Sequence, residues 1–342
     1  VHMLLQALRA CSRIASSAVL HLEEAIVAPA EMLPYLGRGK HDGKEGNLAY
    51  HNSLMVQFWS ALATRDTRLM THVLGTHFPD RLTNATYATY VRCHDDIGWA
   101  VTDEDAAAVG ASGHGHRTFL SDFYEGTFPG TFAKGALFQV NEATGDKRIS
   151  GSFSSLAGLE KAQGEGDVGG VEMAVQRILM GHALMAAFGG IPLIYMGDEL
   201  ALANDYGYLT DPHHAHDSRW VHRPRMDWIL AEARHAADTP SARVFRGTRH
   251  VLARRAATPA LHGGVPVRVV ATGNDAVFAF QRLAPTGTLL GLFNFTEHWQ
   301  TLQETLVRSL GVTALHDALS DAHVESHDGQ VVLPPYARVW LT

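Results

Sequence analysis

Three short apolar runs, each followed by acidic side chains, constrain the fold of this chain more than any other feature. The runs and the acids behind them are 18–22 with Glu23-Glu24, 88–93 with Asp95-Asp96, and 192–195 with Asp198-Glu199. Carboxylates at the end of a buried strand lose hydration, which costs free energy. A polar turn with a helix-capping aspartate would explain one such run. The rest of the chain decides between that explanation and a functional one.

Helical segments separate the three runs. Apolar residues at helical spacing predict helices near the amino terminus, from 52 to about 76, from 171 to 187 and from 241 to 257. Strands that alternate with helices and carry acids at their carboxyl ends are typical of a (β/α) barrel, whose active sites lie at that face. After Pro259, short alternating strands with turn signals predict a terminal all-β module. The sequence therefore predicts an α/β fold followed by a β domain.

Bulk composition excludes several classes of protein. The chain has 342 residues, 46% of them hydrophobic, which is enough for a large domain and a smaller one. Its formal net charge of -7 argues against nucleic acid or an anionic membrane as a partner, because both select basic surfaces. Its most apolar segment, 183–197, is too short to span a bilayer. The two cysteines give no disulfide framework, so we expect a reducing compartment, the bacterial cytoplasm.

Two of the strand-end acids suggest a reaction. Glu24 and Asp95 each follow a predicted strand, and a barrel would bring them to one pocket. Paired carboxylates suit glycoside chemistry, which needs a nucleophile and a general acid on opposite sides of the scissile bond. Burial raises the pKa of a carboxyl group enough for it to hold its proton. His94 would then bind a sugar hydroxyl, and Arg219 would supply a cation at the floor of the pocket.

The abundance of histidine raises a second hypothesis, a metal site. His213, His214, His216 and His222 lie in one segment, but no cysteine or His-Glu-x-x-His frame accompanies them. We therefore expect no metal and no cofactor. Glu23 is expected to face away from the pocket that Glu24 enters.

Five motifs resemble, in order and spacing, the amylosucrase and sucrose hydrolase branch of the α-amylase superfamily, glycoside hydrolase family 13. They are LEEAIV, YVRCHDDIGWAVTDEDAAAVG, FAKGALFQVNEATGDKRISGS, GGIPLIYMGDE and DSRWVHRPR. The resemblance implies a (β/α)8 TIM barrel with an inserted subdomain and a carboxy-terminal β-sandwich. It also implies a retaining enzyme that moves glucose from sucrose through a covalent glucosyl-enzyme. The acceptor is an α-glucan in amylosucrase and water in sucrose hydrolase, and GDKRISG favours the transferase.

The resemblance assigns roles to individual residues. Glu24 matches the general acid/base, and Asp95 matches the transition-state stabiliser, with His94 beside it. The positions that match substrate-binding residues are Asp96, Arg219, Gln139, Arg148, Ile26 and Val27. Sucrose and an α-glucan acceptor are the implied ligands.

One departure from the family outweighs these matches. The family's nucleophile is an aspartate on the fourth barrel strand, and Glu24 lies too close to Val1 for that strand to precede it. We therefore expect a carboxy-terminal half of a longer enzyme, with no nucleophile in this chain and no activity alone. A non-catalytic carbohydrate-binding remnant is the alternative from another class. Exposed strand edges in a half-barrel would pair with another chain, which leaves a homodimer open.

The expected division of the chain follows the same resemblance. Residues 1–96 would carry the barrel from its fifth strand to its seventh, and 97–170 would form an irregular inserted subdomain. Residues 171–258 would end the barrel, and 259–342 would form the β-sandwich.

Overall fold

The computed structural model describes residues 1–236 and 238–342. Its α-helices are α1 His2–Ala15, α2 Pro29–Leu36, α3 Asn52–Thr64, α4 Arg68–His77, α5 Asp103–Ala108, α6 Gly113–Glu125, α7 Phe153–Leu156, α8 Leu159–Glu165, α9 Val168–Ala187, α10 Trp228–Ala233, α11 Pro240–Ala257 and α12 Glu304–Ser309. Its strands are β1 Leu22–Glu23, β2 Leu48–Tyr50, β3 Thr86–Thr89, β4 Ile97–Gly98, β5 Ala136–Val140, β6 Lys147–Ser150, β7 Ile191–Pro192, β8 Val267–Val270, β9 Val277–Ala284, β10 Gly287–Asn294, β11 Gln300–Gln303, β12 His316–Asp317, β13 Ala322–His323, β14 Ser326–His327, β15 Gln330–Leu333 and β16 Arg338–Leu341.

A parallel sheet organises the first part of the molecule. Its strand order is β1-β2-β3-β7. Leu22 pairs with Leu48, and Ala88 of β3 lies opposite Ile191 of β7, all in parallel register. Because the strands run in one direction, their carboxyl ends meet at one edge of the sheet. The strand–helix alternation expected from the sequence is therefore present, with α3 and α4 between β2 and β3.

Several element boundaries differ from those predicted. The run 88–93 forms a strand only at Thr86–Thr89, because its neighbours β2 and β7 are three and two residues long and leave residues 90–93 without a strand opposite. For the same reason the first run pairs only at Leu22–Glu23 and the third only at Ile191–Pro192. The helix predicted from 52 to 76 is two helices, since Arg65 adopts a left-handed φ of 59° that ends α3.

The inserted segment 97–170 is ordered, which corrects the prediction of an irregular subdomain. It contains α5 to α8 and an antiparallel sheet of order β4-β6-β5. Thr102 and Ser112 cap α5 and α6 by accepting backbone N–H groups three residues on. These helices and strands are short, so no continuous periodicity identified them in the sequence.

Two buried helices hold the edge of the sheet in place. Phe58 and Trp59 of α3 are fully buried, and the Trp59 indole N–H donates to the Val91 carbonyl over 2.7 Å. From the other side, the Thr89 hydroxyl donates to the Met185 carbonyl of α9 over 2.7 Å. These two bonds hold Thr89 and Val91, a few residues before His94. The backbone is therefore fixed where the segment after β3 begins.

The terminal domain is an antiparallel β structure, as the sequence predicted. One sheet has the order β13-β12-β16-β10-β9-β8 and the other the order β11-β15-β14. A second apolar cluster includes residues of both sheets, among them Leu290, Leu292, Val331 and Leu333. In the described part of the chain, no helix combines the length and apolar character needed to cross a membrane.

Candidate active site

A cavity opens at the carboxyl edge of the parallel sheet. Three consecutive strands contribute to it through the residues at or just beyond their carboxyl ends. Among the residues named from the sequence, those that line it are Glu24, Ile26, His94, Asp95, Asp96 and Arg148. The position that the sequence suggested for the acids is therefore the position of a real cavity.

Arg219, predicted at the floor of the pocket, is not among the residues that line the cavity; it is held between two carboxylates, of which Asp95 lines the cavity. Its Nη1 donates to Asp95 over 2.8 Å, while Nε and Nη2 donate to Asp217 over 2.9 and 2.8 Å. The hydrogen bond from Arg219 lowers the pKa of Asp217 to about 2. Burial acts to raise the pKa of Asp95, but the hydrogen bond and charge of Arg219 and the hydrogen bonds from Asp96 together outweigh it, so the pKa is lowered. Asp95 is therefore an anion at neutral pH.

Asp96 is adjacent to Asp95 but has different surroundings. Its side chain is 2% exposed, against 41% for Asp95, and its Oδ2 lies 3.2 Å from Arg148 Nε. Burial raises the pKa of Asp96; the Arg148 charge opposes this shift and the Asp95 charge adds to it. Within the described residues, Oδ2 accepts no well-aligned hydrogen bond despite the ion pair. A ligand hydroxyl in the cavity would satisfy it.

Glu24 differs again, since its side chain is exposed beyond the end of β1. Its neighbour Glu23 is half-buried against the backbone of Gly46, where an added Cβ would lie 2.5 Å from the Glu23 Cγ. Burial raises the pKa of Glu23; the nearby His21 opposes this shift and Glu45 adds to it. The two neighbouring glutamates therefore occupy different environments.

The backbone around His94 is held by two side chains from the segment after residue 218. The His94 carbonyl accepts from Arg223 Nε over 2.7 Å and lies 3.2 Å from His222 Nε2. His222 Nδ1 in turn accepts the Gly151 N–H over 3.0 Å, which assigns the His222 proton to Nε2. Burial lowers the pKa of His222 to about 3. A neutral, fixed His222 thus positions the exposed His94 at the cavity.

A buried ion pair that was not predicted from the sequence supports the segment around His94. Arg92 Nε donates to Asp198 over 2.8 Å, with side chains only 2% and 1% exposed. Burial raises the pKa of Asp198 to about 6, against the Arg92 charge. An arginine inside an apolar run requires a buried partner, and that requirement was the available signal.

Tyr50, Asn52 and Tyr90 also line the cavity. Tyr50 and Asn52 were missed because the three-residue β2 was not recognised as a strand.

The remaining residues named from the sequence lie in two places. Gln139 lines a neighbouring groove, and Arg148 and Ile26 line both this groove and the cavity. Val27 instead packs against a small apolar cluster with Met32 and Leu36. The groove and the cavity are therefore adjoining spaces, with Arg148 at their boundary.

The histidines of the segment 213–222 do not come together around one point. His214 stacks on the Trp220 ring at 3.7 Å and pairs with Asp211, while both ring nitrogens of His222 contact backbone atoms.

The cavity itself combines an anionic Asp95, an Asp96 whose pKa is raised, and an exposed Glu24. Carboxyl groups in such different environments suit acid, base and charge-stabilising roles on a polar ligand.

Comparison with known proteins shows what two parts of this chain are similar to. Residues 267–342 match the family model described as amylosucrase, C-terminal domain. The 1,4-alpha-glucan branching enzyme GlgB of Burkholderia cenocepacia is 29% identical over 186 residues, which cover 46% of this chain and 23% of that enzyme. The carboxy-terminal part of the chain is thus similar to an amylosucrase domain, and less than half of the chain is similar to a segment of a branching enzyme.

Solved structures share the fold across the whole chain. The cyclic alpha-maltosyl-(1-->6)-maltose hydrolase from Arthrobacter globiformis superposes with a TM-score of 0.57 and 16% identity, covering 100% of this chain and 53% of that one. Sucrose 6F-phosphate phosphorylase from Thermoanaerobacter thermosaccharolyticum gives a TM-score of 0.56 and 15% identity, covering 84% and 49%. The chain thus spans about half the length of these structures, and 23% of the curated relative.

Proposed function

We propose that this chain carries the acid/base side of the active site of a sucrose-acting, retaining α-glucosyl enzyme of the amylosucrase type. The observation that carries the proposal is the cavity at the strand ends, where Glu24 and an Asp95 ionised by Arg219 lie together. The match of residues 267–342 to the amylosucrase C-terminal domain directs the proposal to sucrose. Glycoside cleavage requires an acid at the leaving oxygen and negative charge near the anomeric carbon.

In the proposed reaction, Glu24 donates its proton to the fructosyl oxygen as the bond to the anomeric carbon breaks. Asp95 stays anionic and stabilises the positive charge that develops on the glucosyl ring. Because this charge is present in the transition state and not in neutral sucrose, Asp95 stabilises the transition state more than the substrate. A nucleophilic carboxylate outside the 342 residues forms the glucosyl ester. Glu24, now the base, then takes the proton of the acceptor hydroxyl as the acceptor oxygen attacks the anomeric carbon, and the ester bond breaks to release the nucleophilic carboxylate. Asp96 and His94 bind sugar hydroxyls within the cavity.

In this proposal, the groove next to the cavity determines which acceptor receives the glucosyl group. Arg148 and Gln139 line that groove, and the Arg148 side chain is 47% exposed although it pairs with Asp96. A guanidinium that faces both spaces would bind the hydroxyls of a glucan placed beside the glucosyl ring. We therefore propose α-glucan as the acceptor, with transfer to water as the alternative outcome.

The test is sucrose turnover by the 342-residue chain and by an enzyme that includes the preceding barrel segment. The longer enzyme is expected to release fructose and to lengthen an added glucan, whereas the 342-residue chain alone releases no fructose. Equal amounts of free glucose and fructose would identify a sucrose hydrolase. Cleavage of maltooligosaccharides without any release of fructose from sucrose would contradict the substrate proposed here.

A further inference from the structure

A second group of polar side chains lies away from the cavity, where α1 packs on the loop before β2. His2 and His41 stack their rings in parallel, with centroids 4.2 Å apart and planes 6° from each other. The Nδ1 atom of His2 lies 2.7 Å from Glu45 Oε1, and that of His41 lies 3.9 Å from the same oxygen. Two nitrogen atoms and one carboxylate oxygen thus lie within 4.8 Å of one another.

Glu45 is the buried member of this group, whereas His2 is exposed and His41 is half-buried. The Glu45 side chain is 0% exposed, and a buried carboxylate is costly unless it is paired. Its neighbours are the two imidazoles and Gln6, whose Nε2 lies 2.7 Å from His41 Nδ1 and 3.0 Å from Glu45 Oε1. The Glu45 carboxylate therefore lies close to two imidazole nitrogens, and each of these three groups can bind a metal ion.

The backbone holds this group in place. Arg9 of α1 is buried and donates through Nη1 to the carbonyls of Gly43 and Glu45, over 3.1 and 2.6 Å. These two bonds fix the loop against the helix, so the positions of His2, His41 and Glu45 depend on one rigid contact. The lone pair of each Nδ1 lies in its ring plane, so one ring has to turn out of the parallel stack before both nitrogens can bind one ion. The ligand atoms of a tetrahedral zinc site lie roughly 3.4 Å apart.

We propose that His2, His41 and Glu45 form a binding site for a first-row divalent transition metal. Two imidazole nitrogens and one carboxylate oxygen are a donor set that suits Zn²⁺ or Co²⁺ better than Ca²⁺ or Mg²⁺, which prefer oxygen ligands. The metal would join α1 to the loop that leads into β2. Its role is to stabilise this corner of the fold, since a ligand that binds only the folded state raises the stability of that state.

The experiment titrates the 342-residue chain with Co²⁺ and follows the visible absorption of the bound ion, with Zn²⁺ as competitor. We expect one tight site per chain, displacement of Co²⁺ by Zn²⁺, and a higher Tm with Zn²⁺. His41→Ala and Glu45→Gln should each weaken binding by at least about 100-fold, more than loss of a supporting group would cause. His2→Ala, at the exposed end, should do the same without disturbing a buried residue.

The matched control is the double variant His213→Ala/His216→Ala, which removes two exposed histidines from another loop. It should bind Co²⁺ as the unaltered chain does. Unchanged binding in His41→Ala with loss in His2→Ala would mean chelation by the chain terminus and would overturn the proposal. Absence of a tight site in the unaltered chain would overturn it as well.

Discussion

At the scale of single residues, the adjacent Asp95 and Asp96 show how partners set chemical roles. Strand alternation would have turned them to opposite sides, but β3 ends at Thr89 and both carboxylates line the cavity. They differ instead in burial and in partner, Arg219 for Asp95 and Arg148 for Asp96. The pKa of Asp95 is lowered and that of Asp96 is raised. The sequence predicted that the two would differ in function, and that stays a prediction; the difference in their surroundings depends on where Arg219 and Arg148 lie, which the sequence did not predict.

Asp95→Asn is expected to lower kcat by roughly 10²-fold or more in the full enzyme, because one preorganised charge is lost. Asp96→Asn should change mainly KM, because in the proposed reaction Asp96 binds sugar hydroxyls and Asp95 supplies the negative charge that stabilises the transition state. Steady-state kinetics with sucrose would measure both. Asp328→Asn is the control, an exposed aspartate with a φ of 49° that asparagine also adopts. A larger fall in kcat for Asp96→Asn than for Asp95→Asn would reverse the assignment.

At the scale of secondary structure elements, α9 packs so closely on the site segment that a glycine is required. A Cβ at Gly181 would lie 2.6 Å from Phe153, 2.9 Å from Phe58 and 3.2 Å from Val91. The two phenylalanines are fully buried, so they have no free space to move into. This close approach lets Val91, three residues before His94, rest directly on the helix.

Gly181→Ala should lower the free energy of unfolding by about 1–3 kcal/mol through overpacking. Gly164→Ala is the matched control within α8, where a new Cβ meets nothing within 4 Å. That variant should gain about 0.4–1 kcal/mol from helix propensity and a less flexible unfolded chain. Urea unfolding of the three proteins tests the pair. Equal stabilities for both variants would show that the packing around Gly181 is looser than described.

The elements also show what the sequence could predict. The long helices α9 and α11 were identified to within three residues, because each carries a sustained apolar pattern. The two- and three-residue strands β1, β2 and β7 were overextended or missed, since so few residues carry no period.

In the site, Glu24 and the segment 94–96 were predicted. Arg92 with Asp198 and Asp95 with Arg219 were not predicted as pairs, because each contact joins segments that are far apart in the chain.

At the scale of the whole molecule, buried neutral histidines set the response to acid. Burial lowers the pKa of His51 and His222 to about 3 and that of His182 to about 4. Between these values and about 6.5 the unfolded chain binds protons that the folded chain does not, so stability falls as pH falls through this window. Asp198, with its pKa raised to about 6, acts in the opposite direction and offsets one of the three.

Stability should therefore decrease from pH 6.5 toward pH 5, by about 1.4 kcal/mol per pH unit for each proton bound only by the unfolded chain. Replacing His51, which caps α3 by accepting the Leu54 N–H, with asparagine keeps a capping oxygen and removes one titrating group. His51→Asn should make the slope shallower, while the exposed His213→Asn should not. Urea midpoints across this pH range give the slopes, and identical slopes for all three proteins would contradict this account.

The central claim is that Glu24 is the acid that protonates the fructosyl oxygen, and one comparison of substrates tests it directly. In the full enzyme, Glu24→Gln should lower fructose release from sucrose by about 10²–10⁴-fold. The same variant should still give a rapid first release of fluoride from α-glucosyl fluoride, because fluoride leaves without needing a proton. A Glu24→Gln enzyme that loses both activities equally, or keeps sucrose turnover within a few-fold, would contradict the claim.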